Sequence, residues 1–258
     1  MRKCRSLVLL ALALVLTAPA PASAQVTLPG CQRPATLVVP FAFVAVNGQC
    51  TDLSASITRI VGGKGWGLVA HLELSTSIID LRAIFNPDPS VTYSGTTTNL
   101  TGATNSYAFI FGTPIVPDFY SSAISTLKLS LTTPTGTTTV DNSSTYPTYV
   151  SGYGTLGSEL TLLGVDLGTA PCVASGTAAQ ATCDEGTASS SFPSSFFDNL
   201  EAVITYTQDN AGSVVKFDGE VAINRADVVT TTPEPATFML VGAGLAAMLV
   251  QRRRRRLG

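Results

Sequence analysis

His71 is the only histidine of this 258-residue chain, and Glu73 follows it two positions later. Side chains two apart on a strand share one face, so this pair could act as a general base and its orienting group, or as half of a metal site. A Ser-His-Asp triad would have to use this histidine. The chain contains neither a G-x-S-x-G nor an H-E-x-x-H motif. A solvated polar face is the alternative interpretation of the pair.

Paired carboxylates are a second candidate chemistry, because two of them held ~5–9 Å apart hydrolyse glycosides. The candidates are Glu159, Asp166, Glu201 and Glu220. The sequence gives no way to pair them, and acidic residues on strand edges also serve solubility. A secreted glycan hydrolase is therefore one alternative function for residues 25–227, which are called the body below.

Residues 62–67 read Gly-Gly-Lys-Gly-Trp-Gly and invite comparison with a phosphate-binding loop. Such a loop needs Ser or Thr after the lysine and a helix beyond it, whereas Gly65 follows Lys64 here and the segment continues as a strand. We predict a hairpin turn. Trp66 at this turn could stack on a sugar ring, with packing in the core as the alternative. A carbohydrate-binding module is thus a second alternative for the body.

Four cysteines, Cys31, Cys50, Cys172 and Cys183, follow the N-terminal region. An even count in an exported protein predicts two disulfides, and four cysteines allow three connectivities. We favour Cys31–Cys50 with Cys172–Cys183, because near neighbours close fastest. No pair has the C-x-x-C spacing of a zinc site.

Two acidic segments, Asp184-Glu185-Gly186 and Asp209-Asn210, could contribute oxygen ligands to calcium. Neither has the regular ligand spacing of an EF-hand loop. We therefore assign no metal site and predict no cofactor, and calcium binding stays an open alternative.

The C-terminus combines three features. Pro233, Glu234 and Pro235 precede an uncharged apolar run at residues 236–250, and five arginines follow it: Arg252, Arg253, Arg254, Arg255 and Arg256. As a helix the run would measure about 22 Å, short of the ~30 Å hydrocarbon core of a bilayer. A charged side chain at the membrane centre costs ~2.5–3.5 kcal/mol, so the arginines would stay in the cytoplasm and set the orientation. We predict a transmembrane helix that retains the protein temporarily; a permanent anchor and a buried core helix are the alternatives.

In this order and position, the three features closely resemble the PEP-CTERM sorting signal of Gram-negative bacteria. The resemblance implies that an exosortase, a membrane-embedded cysteine transpeptidase, recognises and cleaves the tail. It assigns recognition to Pro233, Glu234 and Pro235, retention to residues 236–250 and orientation to the arginines. Because exosortase systems accompany exopolysaccharide production, it also implies a role at the cell surface or in the extracellular matrix, with exopolysaccharide as a candidate partner.

The N-terminus has the pattern of a secretory signal peptide. Arg2, Lys3 and Arg5 precede an apolar stretch at residues 7–16, and Ala22-Ser23-Ala24 provides a small-x-small cleavage site. We predict cleavage before Gln25, with signal peptidase and the general secretion machinery as partners.

The charge of the body differs from that of the whole chain. Three of the 15 basic residues lie in the N-terminal signal and five in the tail, which leaves seven against 16 acidic residues once Glu234 is set aside, a net charge of −9. This sign disfavours nucleic acid and anionic membrane as partners.

Strands separated by turns dominate the body. We predict them at residues 36–46, 53–60, 68–74, 78–85, 107–111, 123–131, 156–165, 202–207 and 214–223. Residues 86–89 form a strong turn, and residues 208–212 are predicted as a hairpin loop. The Ser/Thr-rich segments 132–148 and 174–195 are predicted as loops. The absence of a long 3.6-residue apolar period predicts few helices, and the fold class is an all-β sandwich, jelly-roll-like.

The predicted organisation is a signal peptide at 1–24, a β-sandwich body at 25–227, a linker at 228–232 and a sorting signal at 233–258. The body holds about 210 residues, enough for one core. Its predicted role is that of a non-catalytic structural or interaction domain. The protein would be anchored transiently in the inner membrane with its body in the periplasm, then reach the cell surface or be secreted.

Overall fold

The structure is a computed structural model that describes Cys31 and residues 38–142, 147–157 and 159–226. The chain divides into one unit ending at Ala226 and a second running from Asp227 to Gly258, which lies outside the described residues. The predicted signal peptide, the linker and the whole sorting signal also lie outside them.

The described residues form thirteen β-strands joined in one antiparallel sheet. In chain order these are β1 (Phe41–Val46), β2 (Gln49–Asp52), β3 (Ile57–Arg59), β4 (Trp66–Glu73), β5 (Ser77–Asn86), β6 (Ser90–Asn99), β7 (Asn105–Thr133), β8 (Thr137–Asp141), β9 (Val150–Leu156), β10 (Glu159–Leu162), β11 (Cys172–Ser175), β12 (Ala179–Gln208) and β13 (Val214–Arg225). The one helical element in this part of the chain is a short 3₁₀ turn, Ser54–Ser56.

Two very long strands, β7 and β12, pair with each other from Thr133↔Ala179 to Asn105↔Gln208. Straight, each would measure roughly 95 Å at ~3.3 Å per residue, much longer than a compact domain. The pairing is interrupted near its middle, where residues 115–117 of β7 and 192–194 of β12 have no register partner in the other strand. Pro117 and Pro193 lie in these bulges, where the missing N–H costs no ladder hydrogen bond. The bulges therefore mark where the two-stranded ribbon formed by β7 and β12 bends.

The bend divides the sheet into two layers. In the first, β10, β9, the second half of β12, the first half of β7, β1 and β2 are neighbours. In the second, the first half of β12, the second half of β7, β13, β6, β5, β4 and β3 are neighbours. β8 pairs with β11 and with the end of β12.

Aromatic contacts between the layers form the centre of the core. The ring of Phe109 lies 4.9 Å from that of Phe217, and Tyr93 stacks on Phe111 at 6.0 Å. Tyr206 completes the group with an edge contact to Phe217. Because β6 and β13 belong to one layer and the first half of β7 to the other, these contacts confirm the predicted all-β sandwich.

A smaller apolar cluster covers the outer face of the first layer. It contains Phe41, Phe43, Ile110, Tyr153, Leu160 and Val203. The disulfide between Cys31 and Cys50 packs against it, and the second disulfide joins Cys172 of β11 to Cys183 of β12. Both predicted disulfides are therefore present with the favoured connectivity.

Several sequence-based boundaries are confirmed. The strands predicted at 68–74, 78–85 and 214–223 correspond to β4, β5 and β13, and the turn at 86–89 joins β5 to β6. The segment 62–67 lies at a hairpin, because β3 pairs with β4 and the Ile60 N–H donates to the Gly65 carbonyl at 3.0 Å. The strand predicted at 36–46 begins only at Phe41, directly after Pro40.

Other predictions are wrong for local reasons. The strand predicted at 53–60 begins with the 3₁₀ turn, because the Asp52 carboxylate accepts the Ser54 N–H at 2.8 Å and bends the backbone. The strand predicted at 156–165 is split by Gly157, whose φ is 60°. The strands predicted at 107–111, 123–131 and 202–207 are confirmed as strand, the first two as parts of β7 and the third near the end of β12.

The predictions for two loops and one hairpin are also wrong. Segment 132–148 contains β8, and most of segment 174–195 is the first half of β12, where alternate side chains are exposed. Ser and Thr suit such a half-exposed strand surface, so composition alone misled the prediction. Residues 208–212 do not form a hairpin loop, because β12 pairs with β7, β8 and β9 while β13 pairs with β6 and β7. They carry the chain from one layer to the other.

A buried polar network joins the layers at one end of the core. The Thr97 hydroxyl of β6 lies 2.8 Å from the Tyr206 hydroxyl and donates to the Gln208 side-chain oxygen of β12 at 2.7 Å. Gln208 in turn donates to Ser213. Burial raises the pKa of Tyr206 well above its usual value, so its hydroxyl stays a neutral hydrogen-bonding group.

We expect Thr97→Val to lower the free energy of unfolding by about 1–3 kcal/mol, because it leaves the buried hydroxyl of Tyr206 and the amide oxygen of Gln208 short of a partner. Urea denaturation monitored by tyrosine and tryptophan fluorescence measures the change. Thr92→Val is the matched control, since Thr92 lies exposed on the outer face of the same strand. Equal unfolding midpoints for the two variants would show that the network does not stabilise the core.

Candidate functional site

His71 lies on the outer face of the second layer, with a carboxylate at each ring nitrogen. Asp80 Oδ1 is 2.7 Å from Nδ1, and Glu73 Oε1 is 3.3 Å from Nε2. The hairpin of β4 and β5 brings His71 opposite Asp80, while Glu73 follows on the same strand face, as the sequence predicted. All three side chains are more than half exposed.

This arrangement favours the protonated imidazole. The hydrogen bond to Asp80 is the main cause that raises the pKa of His71 above 6.5, the bond to Glu73 adds to it, and desolvation opposes both. A general base needs a nitrogen free to accept a proton, and here both nitrogens face carboxylates. The two nitrogens also point in diverging directions, so the carboxylates do not converge on one ion. Among the described residues, no group of three His, Cys, Asp or Glu side chains could hold a metal.

Beside His71, the outer face of the second layer forms a polar trough along β6. Its floor is Ser94 and Thr96; its walls are Asp80 and Arg82 of β5 on one side and Lys216 and Asp218 of β13 on the other. The floor side chains are short and half-buried, whereas the four wall side chains are exposed. Short residues on a central strand between longer ones on its neighbours produce the groove.

Two adjoining cavities occupy this trough, with volumes of about 670 and 410 Å³. They share Arg82, Ser94 and Asp218, so they form a continuous groove that extends along β6 to Thr92. Beneath the floor, Gly95 has no side chain, and a Cβ there would collide with the ring of Phe217. The ring of Phe217 therefore supports the floor from inside the core.

The four candidate hydrolytic carboxylates lie on separate elements. Glu159 is on β10, Asp166 on the connection to β11, Glu201 on β12 and Glu220 on β13. Glu201 is buried on the outer face of the first layer, while Glu220 lies on the outer face of the second. Since packed sheets are ~10 Å apart, the sandwich separates these two by more than a glycosidase pair requires.

Trp66 is half-buried at the start of β4 and packs against the main core. Its side chain alternates with Gly67 and shares the inner face with Leu68, so it faces away from the trough. This position favours the packing interpretation over sugar stacking.

The two candidate calcium segments take part in local hydrogen bonds. The Asp184 carboxylate accepts the Gly186 N–H at 3.0 Å at a bulge of β12. The Asp209 carboxylate accepts the Thr139 N–H at 2.7 Å, and the Asn210 amide donates to the Thr135 carbonyl at 2.8 Å. These side chains thus fix the local backbone.

Comparison with known proteins identifies the C-terminal region. Residues 231–256 match the PEP-CTERM protein-sorting motif, as the sequence predicted. The motif indicates a surface protein that an exosortase processes. The predicted transmembrane run at 236–250 lies outside the described residues, and no helix within the described ones is long and apolar enough to cross a bilayer.

Other comparisons concern the body of the protein. No curated protein matches the chain. A solved structure titled as TmCBM61 in complex with beta-1,4-galactotriose aligns over 62% of this chain and 88% of its own at 5% identity, with a TM-score of 0.28. A structure of the Gt strain of infectious bursal disease virus aligns over 88% and 72% at 13% identity, with a TM-score of 0.14. Both likenesses are too weak to carry an argument.

The sequence identified His71 and Glu73 but missed Asp80 and the trough. A short hairpin loop centred between Ser75 and Thr76 would have placed residue 71 opposite residue 80, so the signal was present in the pattern of the two strands. The trough walls lack such a signal, because β5 and β13 are separated by more than 120 residues and meet only through β6.

We expect nuclear magnetic resonance titration of His71 to give a pKa above 6.5, because the charged ring donates to two carboxylates. Asp80→Asn should lower this pKa more than Glu73→Gln does. These hydrogen bonds therefore stabilise the folded protein below pH 6.5. Their contribution to the free energy of unfolding is lost as the pH rises through the elevated pKa. Asp88→Asn, at an exposed turn, is the control and should leave the titration unchanged. A pKa at or below 6.5 in the unaltered protein would contradict the geometry.

Proposed function

We propose that this is an exported bacterial protein that an exosortase processes, with a β-sandwich body that acts as a non-catalytic structural or interaction domain at the cell surface or in the extracellular matrix. The match of residues 231–256 to the sorting motif carries this proposal. The two disulfides of the body support export, because such bonds form in oxidising compartments.

The proposed path has three steps. Signal peptidase cleaves before Gln25, residues 236–250 retain the protein in the inner membrane with its body in the periplasm, and the arginines hold the cytoplasmic end. Exosortase then recognises Pro233, Glu234 and Pro235 and releases the body toward the surface, where exopolysaccharide is a candidate partner. The acidic body supports a non-nucleic-acid role.

Carbohydrate binding is the second candidate function of the body. The polar trough on the second layer favours it, since its exposed charged and hydroxyl groups line an open groove. Hydrolysis has no comparable support, because the candidate carboxylates lie on separate elements.

We expect the intact mass of the protein from an exosortase-containing host to correspond to a chain from Gln25 to a position near Pro235 with two disulfides. From an otherwise identical host without exosortase, the mass should include the tail to Gly258. Mass spectrometry of the purified protein measures both. An intact C-terminus in both hosts would make the tail a permanent anchor.

Replacing all five arginines, Arg252 to Arg256, by alanine should impair retention and processing, because nothing then opposes passage of the tail across the membrane. Replacing the same five by lysine keeps the charge and is the matched control. Membrane fractionation and immunoblotting give the ratio of tailed to processed protein. Normal maturation of the alanine variant would contradict the assigned role of the arginines.

A further inference from the structure

We propose that the trough along β6 binds one extended strand of a neutral, hydroxyl-rich polymer, a polysaccharide being the chemical class that fits. The inference rests on the proposed function in one respect, namely that export brings the body into contact with such polymers. Binding itself uses the six residues of the trough floor and walls, Asp80, Arg82, Ser94, Thr96, Lys216 and Asp218. It does not require cleavage of the tail.

The walls of the trough carry opposite charges that face each other across the floor. Asp80 and Lys216 both pair in register with Thr96, and Arg82 and Asp218 both pair with Ser94. The two wall strands are two strand spacings apart, ~9.5 Å between backbones. In the described part of the chain, no ion pair joins one wall to the other. The charges are thus held apart over an open groove.

A hydroxyl group matches this arrangement because it donates one hydrogen bond and accepts others. A hydroxyl between Arg82 and Asp218 can accept from the guanidinium and donate to the carboxylate. One step along, Lys216 and Asp80 offer the same combination, although Asp80 Oδ1 is already bonded to His71. Hydrogen bonds to charged groups are the stronger ones. The Ser94 and Thr96 hydroxyls add partners from below.

The balance of charge selects a neutral polymer. The lining carboxylates of the two cavities are Asp80, Asp218 and Glu220. The lining cations are Arg82, Lys216 and, when protonated, His71, so a polyanion would meet at least one repelling carboxylate for each attracting cation. A polycation would meet the reverse. Neither a polyanion nor a polycation can bond favourably to both the cations and the carboxylates, whereas a hydroxyl group can donate to one and accept from the other.

The shape of the trough selects an extended chain that binds by its polar edge. The joined cavities follow β6 from Thr96 to Thr92, roughly 13 Å at ~3.3 Å per residue. Phe217 and Tyr93 border the cavities, but both rings are buried in the core. Because neither the Phe nor the Tyr ring among the described lining residues is exposed for stacking, hydroxyl groups along the edge of the polymer must supply most of the contacts.

Affinity electrophoresis of the full-length protein in detergent tests the proposal, with dextran, hydroxyethylcellulose and glucomannan as neutral probes and polygalacturonate as the anionic one. We expect at least one neutral polymer to retard the protein and polygalacturonate not to do so. The double variant Arg82→Ala/Asp218→Ala should weaken the retarding interaction about tenfold or more, since it removes two charge-assisted partners without changing net charge.

The matched control is Arg59→Ala/Asp88→Ala, which removes the same two residue types from exposed positions outside the trough and should bind like the unaltered protein. Thermal unfolding of each variant verifies that it is folded. The proposal is overturned if no neutral polymer binds, if polygalacturonate binds equally well, or if the trough variant keeps full affinity. Loss of binding in Trp66→Ala alone would overturn it in favour of aromatic stacking. Since binding is measured on the unprocessed chain, failure here leaves the exosortase proposal standing, and failure of processing leaves the trough standing.

Discussion

The continuous pairing of β7 with β12 is the constraint on which the rest of the structure depends. These two strands belong to both layers, so the position of their bend decides which side chains face the core. The bulges that contain Pro117 and Pro193 allow the ribbon to turn without leaving a broken ladder inside the sandwich. A shift of one residue in this pairing would move Phe109 and Phe111 from the inner to the outer face of the first layer. The aromatic core and the register of the ribbon therefore specify each other.

This constraint also shapes the candidate binding surface. β13 takes its register from the second half of β7, and β6 takes its register from β13, so the row that contains Arg82, Ser94 and Asp218 is fixed by pairings that begin at the ribbon. Beneath the row, Phe217 occupies the space that Gly95 leaves, which ties the floor of the trough to the inter-layer aromatic contacts. A site built on central strands in this way is held more rigidly than one built on loops.

The sequence predicts the fold class and much of its local detail, and its failures have definable causes. Strands with clear alternation, such as β5, and disulfides between near neighbours follow from residue patterns alone. The first half of β12 could not be recognised, because its Ser, Thr and Ala residues also have the composition of a loop and its partner β7 supplies the order. In the candidate site, the position of Asp80 opposite His71 can be predicted from the short hairpin that joins β4 to β5. The trough was not, because Lys216 and Asp218 approach β5 only through long-range pairing.

The charged residues of the body are distributed unevenly over its surface, and this distribution affects what the trough can bind. Only seven basic residues stand between the two terminal signals, and three of them, Arg82, Lys128 and Lys216, lie on the outer face of the second layer. Lys128 is the register partner of both Asp218 and Asp184, so this face alternates cations and carboxylates. The surplus of negative charge is therefore carried mainly by other surfaces, where it keeps copies of the protein apart and repels polyanions. A face on which cations and carboxylates alternate can hold an uncharged polymer without losing the solubility that the acidic surface provides.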